Sequence, residues 1–373
     1  MNKAHKIALV VGTRPEAIKL MPVYLAMKNS AGLSPFLIIT GQHGQMVNDI
    51  LEFFGISPDL RLSVESGSLS ILTGSLFHKL SMALDSEVPS GIIVQGDTTS
   101  AMVGAMVAFY KQIPVYHVEA GLRTYNVEEP FPEEVNRQIV ARVAAINFAP
   151  TKRAEVNLKA EAGIPGKILK VGNTVVDALN LVSSIVHQRP DHYAELNSLI
   201  EPYSGVVLIT GHRRENFGVR MQRILETLSQ LIDEYTELLF IFPVHKNPRV
   251  KDHVDSFLKP RQNLKLIEPL PYDEMLFLMQ RSKLIITDSG GIQEEAPAFQ
   301  VPVVVTREQT ERPEGLEKGF SFLAGSSPED IRSICHKLLA DEHIRTTLQD
   351  VPNPYGDGHA SERIVSAIEN ALS

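Results

Sequence analysis

Three carboxylates lie in polar gaps between apolar, strand-like runs in the first half of the chain, a position from which they can move protons. Asp97 follows the run at residues 91–95, Glu119 follows the run at residues 113–118, and Glu133 ends a proline-rich loop. Because the carboxyl ends of parallel strands meet at one edge of a sheet, we expect these side chains to face the same crevice. Acid and base groups placed together in this way can remove a proton from a substrate and return it.

The strands that must position these carboxylates recur along the chain. Short runs rich in Val, Ile and Leu alternate with amphipathic helical stretches, which predicts right-handed βαβ units and parallel sheets covered on both faces. The pattern starts again near residue 206, so we predict an α/β fold of two Rossmann-like doubly wound domains. The predicted strands are 6–11, 35–40, 92–95, 113–118, 145–149, 168–171, 206–210, 238–243, 264–267, 284–287 and 301–305.

The composition indicates a globular protein and narrows its partners. At 373 residues the chain is too long for one ordinary core and suits two domains. The net charge of -8 argues against nucleic acid as a main partner, although local Arg and Lys can still bind a small anion. The longest uncharged apolar segment, residues 101–110, is about half of the ~20 residues that a membrane span requires. We therefore predict no membrane partner.

Cysteine usage and the lack of metal motifs limit the chemistry further. Cys335 is the only cysteine, which excludes an internal disulfide and a Cys-cluster metal site. A reducing, cytoplasmic location fits this usage best, and the N-terminus lacks the features of a signal peptide. No H-E-x-x-H or G-x-S-x-G motif occurs, so we predict neither a metal nor a covalent nucleophile.

A polar turn at residues 12–19 follows the first predicted strand. Gly12 suits a tight turn and Pro15 suits the first helical position. Free backbone N–H groups at a helix start attract anions, and Arg14 and Lys19 add positive charge. The alternative is an ordinary capped turn with solvated charges.

A similar turn follows the predicted strand at residues 284–287. Ser289, Gly290 and Gly291 open a helix, where backbone donors can surround a phosphate with no side-chain bulk in the way. Glu295, about one helical turn further on, is placed to accept hydrogen bonds from a ribose diol. The alternative is an N-cap with acidic residues that favour the helix dipole.

Two further polar turns follow strands of the second set. His212 can carry a proton or stabilise negative charge near neutral pH. Arg312 follows the predicted strand at residues 301–305, where its planar guanidinium can clamp an oxyanion or a sugar hydroxyl. Taken singly, a structural His and a solvated surface Arg are the alternative interpretations.

Together these motifs resemble the non-hydrolysing UDP-N-acetylglucosamine 2-epimerase family. The matching segments run in family order and include GTRPEAIK (12–19), QGDTTS (95–100), HVEAGLRT (117–124), PFPEEVNR (130–137), GHRRENFG (211–218), TDSGGIQEEAP (287–297) and TERPEG (310–315). The resemblance implies a glycosyltransferase-B-like fold with an interdomain cleft. It also implies that residues 1–171 plus 359–373 form the first domain and that residues 172–358 form a UDP-binding second domain.

The activity implied by the resemblance is the interconversion of UDP-GlcNAc and UDP-ManNAc, or of a closely related UDP-N-acetyl sugar, at C2. UDP is eliminated, a 2-acetamidoglucal forms, and UDP adds back, with no cofactor and no metal. By similarity, Asp97, Glu119 and Glu133 are the acid/base carboxylates, and His212 assists the departing diphosphate.

The resemblance also assigns ligand contacts outside the carboxylates. The implied substrate contacts are Arg14, Lys19, Ser289, Gly290, Gly291, Glu295 and Arg312. In bacterial members a segment like Gln42, Gln45 and Met46 binds a second UDP-GlcNAc as activator, so an allosteric site is one interpretation here. A homodimer is what the family suggests.

Three alternatives of different reaction class stay open from the sequence. They are a glycosyltransferase that shares the fold and UDP cradle, a hydrolysing 2-epimerase that releases free ManNAc, and a non-catalytic UDP-sugar sensor. Three clustered carboxylates favour epimerisation over transfer, because inverting transfer usually needs one base. The presence of all three together with His212 argues against a sensor.

Overall fold

The computed structural model describes residues 4–65, 67–211, 218–244, 248–341 and 343–373, with the backbone alone at residues 248 and 249. The chain forms two compact units. Met1–Leu181 and Tyr355–Ser373 make the first unit, and Val182–Pro354 makes the second. The turn signals of the sequence place the crossover between residues 172 and 205, and the family resemblance implies boundaries at residues 172 and 359.

The first unit contains a seven-stranded parallel sheet in the order β3-β2-β1-β4-β5-β6-β7. Its strands are β1 (His5–Val11), β2 (Leu33–Ile39), β3 (Leu60–Arg61), β4 (Gly91–Gln95), β5 (Val115–Val118), β6 (Ile146–Ala149) and β7 (Lys167–Lys170). The strand order reverses where β1 pairs with β4, through Ala8 opposite Ile92. Ligands of doubly wound sheets bind outside the carboxyl ends of the strands at such a reversal.

Helices cover this sheet because its central strands are apolar on both faces; all five residues of β4 are buried. The helices of the first unit are α1 (Arg14–Lys28), α2 (Gly44–Phe53), α3 (Leu69–Glu87), α4 (Thr99–Tyr110), α5 (Glu133–Val143), α6 (Lys152–Ala160) and α7 (Thr174–Gln188), the last of which continues past the unit boundary. Helix α4 packs against α3 and α5.

The second unit contains a six-stranded parallel sheet in the order β10-β9-β8-β11-β12-β13. Its strands are β8 (Val206–Thr210), β9 (Leu239–Pro243), β10 (Leu264–Ile267), β11 (Ser282–Thr287), β12 (Val303–Val305) and β13 (Ser321–Leu323). Its helices are α8 (Ala194–Ile200), α9 (Val219–Glu234), α10 (Pro248–Phe257), α11 (Tyr272–Arg281), α12 (Gly290–Glu295), α13 (Pro313–Glu317), α14 (Pro328–Ala340) and α15 (Ile344–Gln349). The reversal of strand order lies between β8 and β11.

The last helix, α16 (Ala360–Leu372), belongs to the first unit and packs against α1. Asp177 caps it, because its carboxylate accepts hydrogen bonds from the backbone N–H groups of Ala360 (3.3 Å) and Ser361 (2.7 Å). Ser30 donates a hydrogen bond to Glu369 near the other end of the helix. These contacts hold the C-terminus of the chain on the first unit.

The two doubly wound parallel sheets confirm the α/β fold predicted from the sequence. Each predicted strand is present, with ends that differ by a few residues. The sequence missed β3 and β13, which are edge strands of two and three residues and therefore too short to show a periodic pattern. None of the helices in the described part of the chain combines the length and the apolar character needed to cross a membrane.

Candidate active site

The turn between β1 and α1 is closed by the side chain of Glu16. Its Oε2 accepts hydrogen bonds from the backbone N–H groups of Gly12 (2.9 Å) and Thr13 (2.6 Å), as an acidic residue does at the third position of a helix. The sequence left two interpretations open for this turn, an anion site at the helix start and an ordinary capped turn. The structure gives these two amides to Glu16, because its carboxylate lies within the same helical turn, and leaves the side chains of Arg14 and Lys19 as the cationic groups.

Lys19 and Glu119 form a buried ion pair at the edge of the first sheet. Lys19 Nζ lies 2.7 Å from Oε1 and 2.8 Å from Oε2 of Glu119, and the two side chains are only 8% and 5% exposed. Gln95, the last residue of β4, also donates to Oε2. These hydrogen bonds fix the orientation of the Glu119 carboxylate.

The backbone at Glu119 is strained. Its φ of 64° lies in the left-handed region, which disfavours residues with a Cβ and costs of order 1–3 kcal/mol. Gly121 has φ 95°, and a Cβ at this position would lie 2.3 Å from the carbonyl oxygen of Ala154. The turn after β5 therefore packs tightly against α6, and this packing holds Glu119 in place.

Asp97 is held by two residues of α5. Arg137 Nη2 lies 2.7 Å from Oδ2 of Asp97, and Asn136 donates to the Asp97 backbone carbonyl at 2.8 Å. Helix α5 begins at Glu133, three residues before Asn136, and residues three apart are neighbours on a helix surface. Glu133 therefore lies on the same face of α5 as Asn136, one turn before the residues that contact Asp97.

His117 supports this edge from β5. Its Nε2 lies 2.8 Å from the carbonyl oxygen of Gly96, and since a carbonyl oxygen can only accept, Nε2 carries the proton. Burial lowers the pKa of His117 to about 4, so the ring is neutral near pH 7. A Cβ at Gly96 would lie 3.9 Å from Oε2 of Glu119. The turns after β4 and β5 are thus in contact, and Lys19, Asp97 and Glu119 lie at one edge of the sheet.

The three residues predicted as an activator site have different surroundings in the structure. Gln42 Oε1 accepts a hydrogen bond from Ser100 Oγ at 2.8 Å, at the start of α4. Gln45 donates instead to Asp49 at 2.9 Å, one turn along α2, and Met46 is 52% exposed. A second nucleotide-sugar site at these residues stays a prediction.

In the second unit, the turn from β11 to α12 brings together two segments that the sequence assigned to phosphate binding. A Cβ at Gly290 would lie 2.5 Å from Nη1 of Arg312, so a larger residue there would displace this guanidinium. Arg312 Nε donates to Glu294 Oε1 at 2.6 Å, and its Nη1 donates to Glu311. The backbone N–H of Ser289 donates to Thr287 Oγ1 at 2.9 Å.

Glu295, the predicted ribose contact, is buried at the end of α12. Its Oε1 accepts a hydrogen bond from the hydroxyl of Tyr272 at 3.0 Å. Tyr272 is the first residue of α11, so it connects this carboxylate to the helix that precedes β11. The remaining predicted site residue, His212, lies outside the residues that the structure describes.

Sequence reasoning gave no role to several residues that hold the predicted groups in place. These residues are Glu16, Gln95, His117, Asn136, Arg137 and Tyr272. The Thr-x-x-Glu spacing of Thr13 and Glu16 is a capping-box signal and would have revealed the closed turn. The contacts of Arg137 and Tyr272 join residues far apart in the chain, and no local pattern predicts them.

Comparison with known proteins identifies the family. Residues 25–369 match the family model described as UDP-N-acetylglucosamine 2-epimerase. A protein of Salmonella borreze named UDP-N-acetylglucosamine 2-epimerase is 40% identical over 366 residues, which cover 96% of this chain and 97% of that protein.

Solved structures of similar proteins cover nearly the whole chain. The MnaA protein of S. aureus, solved as a co-structure with UDP, has a TM-score of 0.90 and 38% identity, covering 99% of this chain and 97% of that one. The UDP-GlcNAc 2-epimerase from Neisseria meningitidis bound to UDP-GlcNAc has a TM-score of 0.91 and 36% identity, covering 98% of this chain and 100% of that one. These similarities confirm the predicted fold class.

Proposed function

Because the chain belongs to the UDP-N-acetylglucosamine 2-epimerase family, we propose that it interconverts UDP-GlcNAc and UDP-ManNAc at C2 of the sugar. The observation that carries this proposal is the position of Lys19, Asp97 and Glu119 at one edge of the first sheet, next to the start of α5. Proton abstraction and return at one carbon require more than one acid/base group, and this edge supplies several.

The proposed reaction is an elimination followed by re-addition. A carboxylate removes the C2 proton, the electrons form a C1=C2 double bond, and the C1–O bond breaks as UDP leaves. UDP then attacks C1 of the 2-acetamidoglucal, and C2 takes a proton on the other face. We assign the proton transfers to Asp97, Glu119 and Glu133. The sum of the two steps is redox-neutral, so the reaction needs no hydride carrier.

We assign UDP binding to the second unit. In the turn at Ser289, Gly290 and Gly291, the backbone N–H groups of the two glycines face the diphosphate, and Arg312 beside Gly290 supplies a guanidinium that Glu294 and Glu311 hold in place. Glu295 accepts hydrogen bonds from the ribose. This assignment is supported by the relative solved with UDP, which resembles this chain over its whole length.

The experiment that tests this function is incubation with UDP-GlcNAc in D2O, followed by NMR of C1 and C2 of the sugar. Epimerisation incorporates deuterium at C2 while the nucleotide stays attached. A hydrolysing epimerase releases free ManNAc, and a glycosyltransferase or a UDP-sugar sensor leaves the C2 proton in place. Intact UDP-GlcNAc without C2 exchange would contradict the proposal.

We also propose that the protein acts as a homodimer. Aromatic side chains are exposed at the end of α4, where Phe109 is 53% and Tyr110 is 67% exposed, and the Tyr110 ring stacks on Phe77 of α3. Light scattering should give twice the chain mass of 41.3 kDa, and Tyr110→Glu should give a monomer. Val156→Glu, at another exposed apolar position, is the control and should remain dimeric. A monomeric wild-type protein would contradict this proposal.

The proposed location is the cytoplasm. Cys335 is buried as a free thiol, and burial raises its pKa to about 12, which keeps it protonated and unreactive. A chain with a single free cysteine suits a reducing compartment. Cell fractionation tests this directly, and recovery of the protein with the membrane or secreted fraction would contradict it.

A further inference from the structure

Glu16 connects two turns that lie far apart in the sequence. While its Oε2 accepts the backbone N–H groups of Gly12 and Thr13, its Oε1 accepts a hydrogen bond from the hydroxyl of Thr98 at 2.6 Å. Thr98 follows Asp97 directly and is the N-cap residue of α4. One carboxyl group therefore ties the turn after β1 to the turn after β4.

Burying the Glu16 carboxyl group costs more free energy than a helix cap requires. The residue is completely buried, and no cation in the described part of the chain pairs with Glu16. Burial raises its pKa to about 7 against the opposing effect of its hydrogen bonds. A capping carboxylate at a solvated helix start gives its usual stabilisation of about 1 kcal/mol without this penalty. The bond to Thr98 is what the buried position adds.

The Thr98 hydroxyl donates one hydrogen bond and accepts another. Its Oγ1 accepts a hydrogen bond from the backbone N–H of Ala101 at 3.0 Å and donates its own proton to Glu16. The hydroxyl thus has both a fixed donor and a fixed acceptor. A shift of Glu16 is therefore transmitted to the start of α4 and to Asp97.

The two turns are also packed against each other. A Cβ at Gly12 would lie 2.2 Å from Ser100 Oγ and 2.7 Å from Thr40 Oγ1. Ser100 and Thr40 are themselves 3.0 Å apart and share a hydrogen bond. Because only a glycine permits so close an approach, the turn after β1 packs directly against the start of α4.

Groups of the proposed reaction lie in one turn and directly after the other. Arg14 and Lys19 lie on α1, and Asp97 lies in the turn after β4. We propose that Glu16 is a positioning residue, whose hydrogen bonds to the β1 turn and to Thr98 set the position of Asp97 relative to Lys19. This inference rests on the proposed function for its kinetic consequences and on the geometry alone for its structural ones.

Thr98→Val is the sharpest kinetic test, because it leaves Glu16 on its two amides while it removes the bond between the turns, together with the cap on the Ala101 N–H. We expect kcat for epimerisation to fall at least 10-fold, with KM and the Kd for UDP changed less than twofold. Thr98→Ser keeps the hydroxyl and should stay within threefold of wild type. Glu16→Ala is a poorer probe, since it leaves three buried donors without a partner and threatens folding.

Asp177→Asn is the matched control. Asp177 is also a buried carboxylate that accepts two backbone N–H groups at a helix start, but α16 carries no group of the proposed reaction. This variant should lose stability and keep kcat within twofold. A kcat for Thr98→Val within twofold of wild type, or an equal fall in kcat for Thr98→Val and Asp177→Asn, would overturn the positioning role.

Hydrogen exchange separates this inference from the proposed function. If the turns are tied through Glu16, Thr98→Val should increase amide exchange at residues 12–16, and Glu16→Gln should increase it at residues 96–101. This reciprocity needs no activity. Unchanged exchange at residues 12–16 in Thr98→Val would refute the connection even if the wild type epimerises. A wild type without C2 exchange would refute the function and leave the exchange result to decide the connection.

Discussion

The turn after β4 and the turn after β11 occupy the same place in their sheets and are built in opposite ways. In each sheet this strand lies next to the first strand of its unit, where the strand order reverses. The turn after β4 presents a side chain, Asp97, held by Arg137 and by α5. The turn after β11 presents backbone, with Gly290 packed against the guanidinium of Arg312.

Under the proposed function, this difference suits the two turns to two tasks. A group that moves protons must be a side chain, and it needs partners that fix its orientation. A diphosphate is bound through backbone N–H groups, which need glycines so that the ligand can approach. The position of a turn in a doubly wound sheet therefore indicates where a ligand binds, and its composition indicates whether the turn reacts with the ligand or holds it.

The largest expected effect comes from breaking the buried ion pair beside the β4 turn. Lys19→Met leaves the Glu119 carboxylate buried without its cation, so the free energy of unfolding should fall by about 3–5 kcal/mol. Urea unfolding measures it. The double variant Lys19→Met with Glu119→Gln removes the uncompensated charge and should recover a large part of the loss. If the double variant instead loses the sum of the stability losses of the two single variants, the two residues are not coupled.

The Glu16 carboxyl should make the first unit less stable as the pH rises. Its pKa is raised to about 7, above the usual 4.5 of a glutamate, so between these pH values the folded chain holds a proton that the unfolded chain has released. Stability is then fully present below pH 4.5 and falls as the pH rises through 7, by on the order of 3 kcal/mol. The free energy of unfolding of Glu16→Gln should not show this decrease with rising pH. An identical pH dependence in both proteins would contradict the assignment.

His117 should act in the opposite direction. Its pKa is lowered to about 4 from 6.5, so the unfolded chain binds the proton first as the pH falls. The stability that the neutral ring supplies is present above pH 6.5 and is lost as the pH falls through 4, again by on the order of 3 kcal/mol. His117→Gln should show a smaller acid loss than wild type. Hydrogen exchange should place the difference in the first unit, around Gly96, and a difference confined to the second unit would contradict this.

The smallest effect should be confined to the glycine turn of the second unit. Gly290→Ala places a methyl group where Arg312 Nη1 lies, so the guanidinium must move, and we expect about tenfold weaker UDP binding, or about 1.4 kcal/mol. Calorimetry measures the Kd. Gly74→Ala is the control, because no atom lies within 4 Å of a Cβ there, and it should bind UDP as wild type does. Equal affinities of Gly290→Ala and Gly74→Ala for UDP would mean that Gly290 has no role in UDP binding.

The sequence predicted the two sheets and the carboxylates at their strand ends because these features are periodic or local. Apolar runs of four to six residues mark the predicted strands, and a polar residue just after such a run must lie at the strand edge. Asp97 and Glu119 follow this rule, and so do Ser289 to Gly291. The turn types were visible as well, since glycine and proline mark them.

The partners of these groups could not be predicted, because they join distant parts of the chain. Arg137 reaches Asp97 across 40 residues, and Thr98 reaches Glu16 across 82. The left-handed backbone of Glu119 is likewise not indicated by its residue type, and two residues further on Gly121 packs against α6. At the turn after β1, the amides of Gly12 and Thr13 donate to Glu16, as in the capped turn that the sequence left open beside an anion site.

The central claim is that proton transfer at C2 belongs to the carboxylates of the first unit. Deuterium incorporation at C2 of UDP-GlcNAc by Glu119→Gln, measured by NMR at saturating substrate, tests it most directly. The amide matches the carboxylate in shape but cannot act as the base, so exchange should fall by a factor of about 10²–10⁴, while the Kd for UDP stays within threefold of wild type. Exchange at the wild-type rate would contradict the account.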